Sequence, residues 1–580
     1  MAKVNKPQKE TFGRRGLADE ADYSDDQQML DHHKLFEHSR VIAQHLAKEE
    51  CCSEAAMEEF INRHGNAVGL IGVAGIGKTT LLKDVAGEIL ESFQSQNTQV
   101  TPLVFYIAFR KMNCQVDCNI LRFLTSTMLP EWNHSPEADE VLLETIKSSD
   151  YVYIFMDGLD EAAGFSLTDE VQMTNLFDEA RPDVIFKNLI SGRLLPKAKK
   201  LVTSRTRVYY SLHPTYRPEL TGEVLGIRRE FQQQLFQRLC SRVDSDQAAT
   251  QLFQRNSSLS SVSFAPLFCK LLAHYLSAFT QQPRVIYSFT ALFVCCLDQI
   301  MRSENFTGDE ASIRQLAQLA FEKIRNNKFV FDLSESEPLS PSNINAFKTI
   351  IIDRRRDIKL SIVEEGSGLS FSHISWQEFF AALYVTYFVS DERLWQEYFA
   401  HFAAPRFDSV VKFMLGLSNA AAQSVLRGVP GASFSSSKLT KLKRKIIENL
   451  EKEQTQRAMS RDYPPLTDFI DLPRLPFVVH RLFARNDPAL VKITSWLHEL
   501  HDESFTSEMA ERFPSRLFIH GLVSPDENSC IIYLLKNANA SKQISVGAWN
   551  TFTNFSEGCL EVLLQALEPS HHKVSCCTIY

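Results

Sequence analysis

Eight consecutive residues, Gly72-Val73-Ala74-Gly75-Ile76-Gly77-Lys78-Thr79, satisfy the pattern G-x-x-x-x-G-K-[ST]. Each residue type has a task in phosphate chemistry. Glycines at 72, 75 and 77 let backbone N–H groups turn inward around phosphate oxygens. Lys78 supplies a point charge for the outer phosphates, and the Thr79 hydroxyl can ligate Mg²⁺. Thr80 continues into a helix whose N-terminus favours an anion. The loop therefore implies a bound nucleotide, ATP or ADP, with Mg²⁺.

A second group of residues could complete that site. The apolar run Tyr151 to Met156 leads straight into Asp157-Gly158-Leu159-Asp160-Glu161. A carboxylate at the C-terminal end of a buried strand faces the crevice where ligands of open α/β sheets bind. Asp157 is the natural metal partner of Thr79, and either Asp160 or Glu161 could orient or deprotonate an attacking water. Another run, Lys200 to Thr203, ends in Ser204 and Arg205. Such an arginine could stabilise a γ-phosphate, or it could be an ordinary surface residue after an edge strand.

The elements needed to position these groups are legible. Candidate strands at 66–71, 103–107, 151–156 and 200–203 alternate with helical patterns, which predicts a parallel sheet covered on both faces. The fold class expected is an α/β P-loop NTPase domain with a parallel sheet, followed by mostly helical segments, which the resemblance given below divides into helical, winged-helix and second helical domains. Leu81, Leu82, Val85, Ile89 and Phe93 fall on one face of a helix after the loop. Beyond 222 the chain reads as helical at 231–239, 266–276 and 289–301. A loop is expected at 333–343, a hairpin from 359–363 and 369–373, and helices from 377 to 520. The first thirty residues read as loosely attached, 30–64 as short helices, and no internal repeat is legible past 520.

The chain has 580 residues with 44% hydrophobic and 23% charged residues, enough for about three to five globular domains. A net charge of -8 argues against a general nucleic-acid partner. The twelve cysteines include no C-x-x-C, so neither a zinc-ligand spacing nor a disulfide framework is expected, and reduced cysteines fit the cytoplasm. No apolar run is long enough for a membrane span, and no secretory signal is visible.

Asp157 to Glu161, with small residues following, resembles the Walker-B signature of NACHT-domain NTPases of the STAND class. Pro182 to Pro196 and Thr203-Ser204-Arg205 are similar to the stretch through their sensor-1 strand. Glu223 to Gly226 resembles the start of their first helical domain, and Ala265-Pro266 the proline motif that touches adenine. Phe371-Ser372-His373-Ile374-Ser375-Trp376-Gln377-Glu378 closely resembles the winged-helix histidine motif of NOD-like receptors. Val411 to Leu417 is similar to their second helical domain.

The resemblance implies a domain order: an N-terminal segment at 1–64, the NACHT domain at 65–221, a helical domain at 222–304, a winged helix at 305–388, a second helical domain at 389–520, and a segment of unknown type at 521–580. It implies that Arg205 is sensor 1, that Pro266 touches adenine and that His373 donates to the terminal phosphate of ADP. Protonation near the ordinary histidine pKa of about 6.5 would strengthen that bond. The function implied is a nucleotide-dependent switch in cytosolic signalling, plausibly in innate immunity, controlled by self-association and acting on a signalling partner. Hydrolysis would be slow. The alternatives are a continuously cycling ATPase that remodels a partner, and a regulator or decoy without effector domain or leucine-rich repeats. The last is suggested by the short N-terminal segment and the absence of a legible repeat, which a chain cut from a longer one would also show.

Overall fold

The structure, a computed structural model, describes residues 66–95, 101–129, 134–240, 251–331, 350–459 and 488–539, each range from 101 onward with short gaps, and three further strands at 39–43, 545–550 and 573–578. Strands β2 (Ala67–Ile71), β3 (Leu103–Ala108), β4 (Val152–Asp157), β5 (Lys199–Ser204) and β6 (Leu220–Ile227) form a parallel sheet in the order β6-β2-β5-β4-β3. An additional strand, β1 (Ser39–Ala43), pairs antiparallel with β6 at the edge. The sheet thus begins within a segment read from the sequence as helical. The remainder of 1–64, including the loosely attached tail, lies outside the described residues.

Residues alternate across the sheet. Val68, Leu70, Tyr153, Phe155 and Leu201 enter one core, and Ile71, Ile154, Met156 and Val202 the other. Both faces are therefore apolar, which is why these strands read as unbroken hydrophobic runs. The covering helices are α1 (Lys78–Ser95), α2 (Ile120–Thr125), α3 (Pro136–Ser148), α4 (Pro182–Ile190) and α5 (Thr206–Ser211). The side chains of Asn119 and Ser135 accept from the N–H groups of Arg122 and Ala138 and so cap α2 and α3.

β6 continues to Ile227, so Glu223 to Gly226 are strand rather than the start of a helical domain, and a boundary at 221 falls inside the sheet. Helices begin with α6 (Arg229–Cys240), followed by α7 (Pro266–Ser277), α8 (Phe289–Arg302) and α9 (Glu310–Arg325). Short strands follow: β7 (Val330–Phe331), β8 (Ile350–Asp353), β9 (Arg356–Leu360), β10 (Val363–Glu365) and β11 (Leu369–Phe371). The hairpin expected from 359–363 and 369–373 is made by β10 and β11, whereas Lys359 and Leu360 pair with β8. The loop expected at 333–343 lies outside the described residues.

Helix α10 (Ile374–Leu383) runs into a π-turn, Tyr384–Phe388. The buried ammonium of Lys438 donates to the carbonyls of Val385 at 3.2 Å, Thr386 at 2.9 Å and Val389, satisfying backbone groups that the π-turn leaves open. Next come α11 (Glu392–His401), α12 (Asp408–Leu417), α13 (Ala420–Leu426), α14 (Ser436–Met459), α15 (Pro488–Leu500) and α16 (Glu503–Arg512). The basic run at 441–445 lies on α14, where Lys441 pairs with Glu392 and Lys443 with Asp502. The ring of Phe293 on α8 lies 4.6 Å from Trp376, 5.4 Å from Phe379 and 5.2 Å from Phe413, so one aromatic cluster joins α8, α10 and α12.

Beyond 515 the backbone repeats itself. Strands β12 (Arg516–His520), β13 (Ser545–Asn550) and β14 (Lys573–Thr578) form a parallel sheet, with α17 (Pro525–Asn537) between the first two. Arg516 pairs with Ser545 and Ser545 with Lys573, a repeat of 29 and then 28 residues. A parallel strand-and-helix unit of that length is the geometry of a solenoid. It corrects the reading of this segment as free of repeats.

Candidate functional site

The phosphate loop joins β2 to α1. Gly75 and Gly77 have φ of 73° and 97°, a conformation that a side chain strains. A Cβ on Gly75 would stand 3.1 Å from Leu267, and the Leu267 N–H donates to the Gly75 carbonyl at 3.5 Å. A Cβ on Gly72 would meet the Val224 carbonyl of β6 at 3.0 Å. The loop is thus wedged between β6 and the start of α7, which brings Pro266 beside it. Ile76 is fully buried, while Val73, Ala74 and Thr80 are half-buried. The Lys78 ammonium donates back across the loop to the carbonyls of Gly72 and Val73, each at 2.9 Å.

Asp157 closes β4 two strands away, with β5 between. Its Oδ1 accepts from the hydroxyls of Thr79 at 3.2 Å and Thr203 at 2.6 Å, and its Oδ2 from Tyr106 at 2.8 Å. Thr203 in turn accepts from the Gly158 N–H at 2.8 Å. A carboxylate and a hydroxyl at this spacing are hard oxygen donors of the kind Mg²⁺ takes. Gly158, at φ 73°, turns the chain into a short 3₁₀ turn, Leu159–Glu161.

Arg205 is held from two sides. Both oxygens of Asp160 engage it: Oδ2 pairs with Nε at 2.9 Å and Oδ1 accepts from the backbone N–H at 3.1 Å. Its Nη1 reaches across to Glu378 on α10 at 2.6 Å and to the Ser409 hydroxyl on α12 at 2.9 Å. His373 caps α10, its Nδ1 accepting from the Ser375 N–H at 3.1 Å. That acceptor role leaves the proton on Nε2.

Residues 66–242 match the NACHT domain family. The chain is 25% identical over 325 residues to NACHT, LRR and PYD domains-containing protein 3 of Bos taurus, covering 54% of this chain and 30% of that protein. The human protein of the same name is 24% identical over 332 residues, covering 56% and 30%. Protein 12 of that series from Mus musculus is 26% identical over 333 residues, covering 55% and 30%. Residues 66–242 thus carry a NACHT domain, and the chain is similar to these NACHT- and LRR-containing proteins. The match spans about 30% of the length of each of these proteins. Among solved structures, a STAND protein with a tetratricopeptide repeat sensor from Pyrococcus horikoshii covers 90% of this chain and 71% of its own, at 13% identity and a TM-score of 0.30.

Within the NACHT site the electrostatics separate the two candidate bases. Burial, aided by Asp160 and Asp157 and opposed by Arg110, pushes the Glu161 carboxyl up to about 7. Asp160 is committed to Arg205 through both oxygens. Burial pulls Lys78 down to about 8, with Arg205 adding to it and the three acids opposing. Burial works against the charge of Arg205, but Glu378 and Asp160 overcome it and the guanidinium holds its proton tightly.

Arg205, expected as sensor 1, is held by three side chains on different elements, Asp160, Glu378 and Ser409. The pH response assigned to His373 moves, because burial, then Arg205, Lys78 and Arg110, pull its pKa down to about 3. The imidazole is neutral throughout the physiological range.

Several groups in the site carried no signal that reading along the chain could find. Tyr106 and Thr203 lie on neighbouring strands, and only the sheet register brings them to Asp157. Arg110 follows β3 in a short 3₁₀ turn and acts on both Glu161 and His373 through its charge. Glu378 stands five residues after His373 in the winged-helix motif, a spacing that could have flagged it.

Proposed function

We propose that this NACHT protein is a nucleotide-dependent switch in cytosolic signalling, with innate immunity as its setting and self-association as its output. The observation that supports this most is the position of Arg205, shared between the acids of the phosphate site and Glu378 of α10. A pump or motor needs its arginine at the phosphate in every cycle; a switch can store it elsewhere.

The residues have separable tasks in this reading. Backbone N–H groups from Gly72 to Thr80 hold the nucleotide phosphates, Lys78 balances their charge and Pro266 contacts adenine. Thr79 and Asp157 hold Mg²⁺, which when bound neutralises charge on the phosphate oxygens. Tyr106 and Thr203 keep the Asp157 carboxylate aimed. Glu161, with a pKa near neutrality, takes the proton of an attacking water. His373 donates from Nε2 to the terminal phosphate of ADP. A third phosphate competes with Glu378 for Arg205, and α10 is then released from the phosphate site.

The relatives carry LRR in their names. The parallel repeat of 29 and 28 residues beyond 515 supports the same kind of module here, which weakens the reading of a repeat-less decoy. The raised pKa of Glu161 favours one competitor, a continuously cycling ATPase. Steady-state hydrolysis and molecular size separate the two. A switch turns over more slowly than about 1 s⁻¹, the low end of typical enzymes, and grows in size with a non-hydrolysable ATP analogue but not with ADP. Faster turnover with the same size in both nucleotides would replace the switch with the motor.

A further inference from the structure

A second cluster of metal-ligating side chains lies outside the phosphate loop, where α15 packs against α17. Asp526 and Cys530 are four residues apart on α17 and so share one face of it. His498 faces them from α15. Their exposures are 6% for His498, 7% for Asp526 and 0% for Cys530, and their donor atoms all lie within 4.8 Å of one another. We propose that His498, Asp526 and Cys530 form a zinc site that fastens the first helix of the C-terminal repeat to the helical domain before it.

The donor set points to zinc rather than to the magnesium of the nucleotide site. Thiolate and imidazole select Zn²⁺, whereas Mg²⁺ takes oxygen donors. The Nδ1 of His498 is buried and has no hydrogen-bond partner, an arrangement that is costly unless something else takes the lone pair or the proton. Asp526 Oδ2 accepts from the Lys412 ammonium at 2.9 Å. Its other oxygen can then serve a metal while Lys412 orients the carboxylate, as outer-shell groups do at metal centres. To close a tetrahedral shell the donors move from their present spread to about 3.5 Å apart, a rotamer-scale shift set by Zn–S and Zn–N lengths.

Charge also balances. On binding, the Cys530 thiol proton leaves to solvent, and Zn²⁺ meets one thiolate and one carboxylate. Lys412 is matched by Glu499, whose Oε1 lies 4.0 Å away. The metal brings two positive charges and one proton leaves, so the buried cluster, counted with Asp526 and Glu499 as carboxylates and Lys412 as ammonium, goes from one net negative charge to none. With three protein ligands, the fourth position is open to water or a nearby side chain.

The test uses the full chain purified without chelators, with metal content read by mass spectrometry. The proposal expects about one zinc per chain that survives gel filtration, and loss of it in His498→Ala and in Cys530→Ala. Because either variant could fold poorly, the wild type supplies a second readout. Replacing its zinc by Co²⁺ should give the thiolate-to-cobalt charge-transfer absorption, absent from Cys530→Ala, and a chelator should lower the melting temperature. If the wild type holds no zinc, and neither Zn²⁺ nor chelator moves its melting temperature, the proposal is wrong. The cluster is then an ion-pair network closed by Lys412 alone.

Discussion

Arg205 and Glu378 stand 173 residues apart in the chain and 2.6 Å apart in space. The Glu378 side chain is 2% exposed and that of Arg205 14%, so the pair is sheltered from water. Charge-assisted bonds of this kind contribute about 1.5–3 kcal/mol. Glu378→Gln keeps the shape and removes the charge. It should therefore shift the balance between closed and open forms by roughly ten- to a hundredfold toward open. The check is molecular size in ADP by light scattering. An unchanged monomer would show that the ion pair is packing and not a latch.

In the proposed switch Glu161 is the base for hydrolysis, and its titration should set the pH dependence of that step. Its carboxyl is raised to about 7, chiefly by burial, so below that pH it carries a proton and cannot accept another. Turnover should rise as pH passes through about 7 and level off above it, and Glu161→Gln should remove both activity and that rise. Asp160→Asn should instead loosen Arg205. A profile that stays flat from pH 6 to 8 in the wild type would remove Glu161 from the role of base.

His373 should leave no such signature. Burial and three nearby cations hold its pKa down to about 3, so the imidazole stays neutral between pH 5 and 8. A phosphate beside the imidazole raises that value in the bound state, so ADP affinity should be flat from pH 7 to 8 and rise at lower pH only where the bound-state pKa is reached. His373→Ala should weaken ADP more than ATP, by roughly ten- to a hundredfold for one charge-assisted bond of about 1.5–3 kcal/mol. Isothermal titration of both nucleotides decides it, and equal losses for the two would place His373 in packing only.

Features made by consecutive residues show in the sequence, whereas contacts between remote segments do not. Gly72 to Thr79 was legible because its task is done by consecutive backbone positions. Asp157 was legible because an apolar strand ending in acids states its own direction. His373 was found through a local motif. What escaped was set by register and packing between segments remote in sequence: Tyr106 and Thr203 on Asp157, and Glu378 on Arg205. β1 escaped because an edge strand needs no apolar run on both faces. The C-terminal repeat escaped because its period is carried by backbone pairing of Arg516, Ser545 and Lys573, while the side chains between do not keep a regular leucine pattern.

The proposed switch requires that the loop from Gly72 to Thr80 hold an adenine nucleotide with Mg²⁺, and such binding stabilises the folded state. Thermal unfolding of the full chain with and without ADP–Mg²⁺ tests this most directly, alongside Lys78→Ala. Nucleotide at about 100 times its dissociation constant should stabilise the wild type by about 2.7 kcal/mol through linkage, visible as a raised melting temperature. Lys78→Ala should lose that rise while melting near the nucleotide-free wild type. A wild type that melts at the same temperature with ADP–Mg²⁺, ATP–Mg²⁺ or no nucleotide would contradict the account.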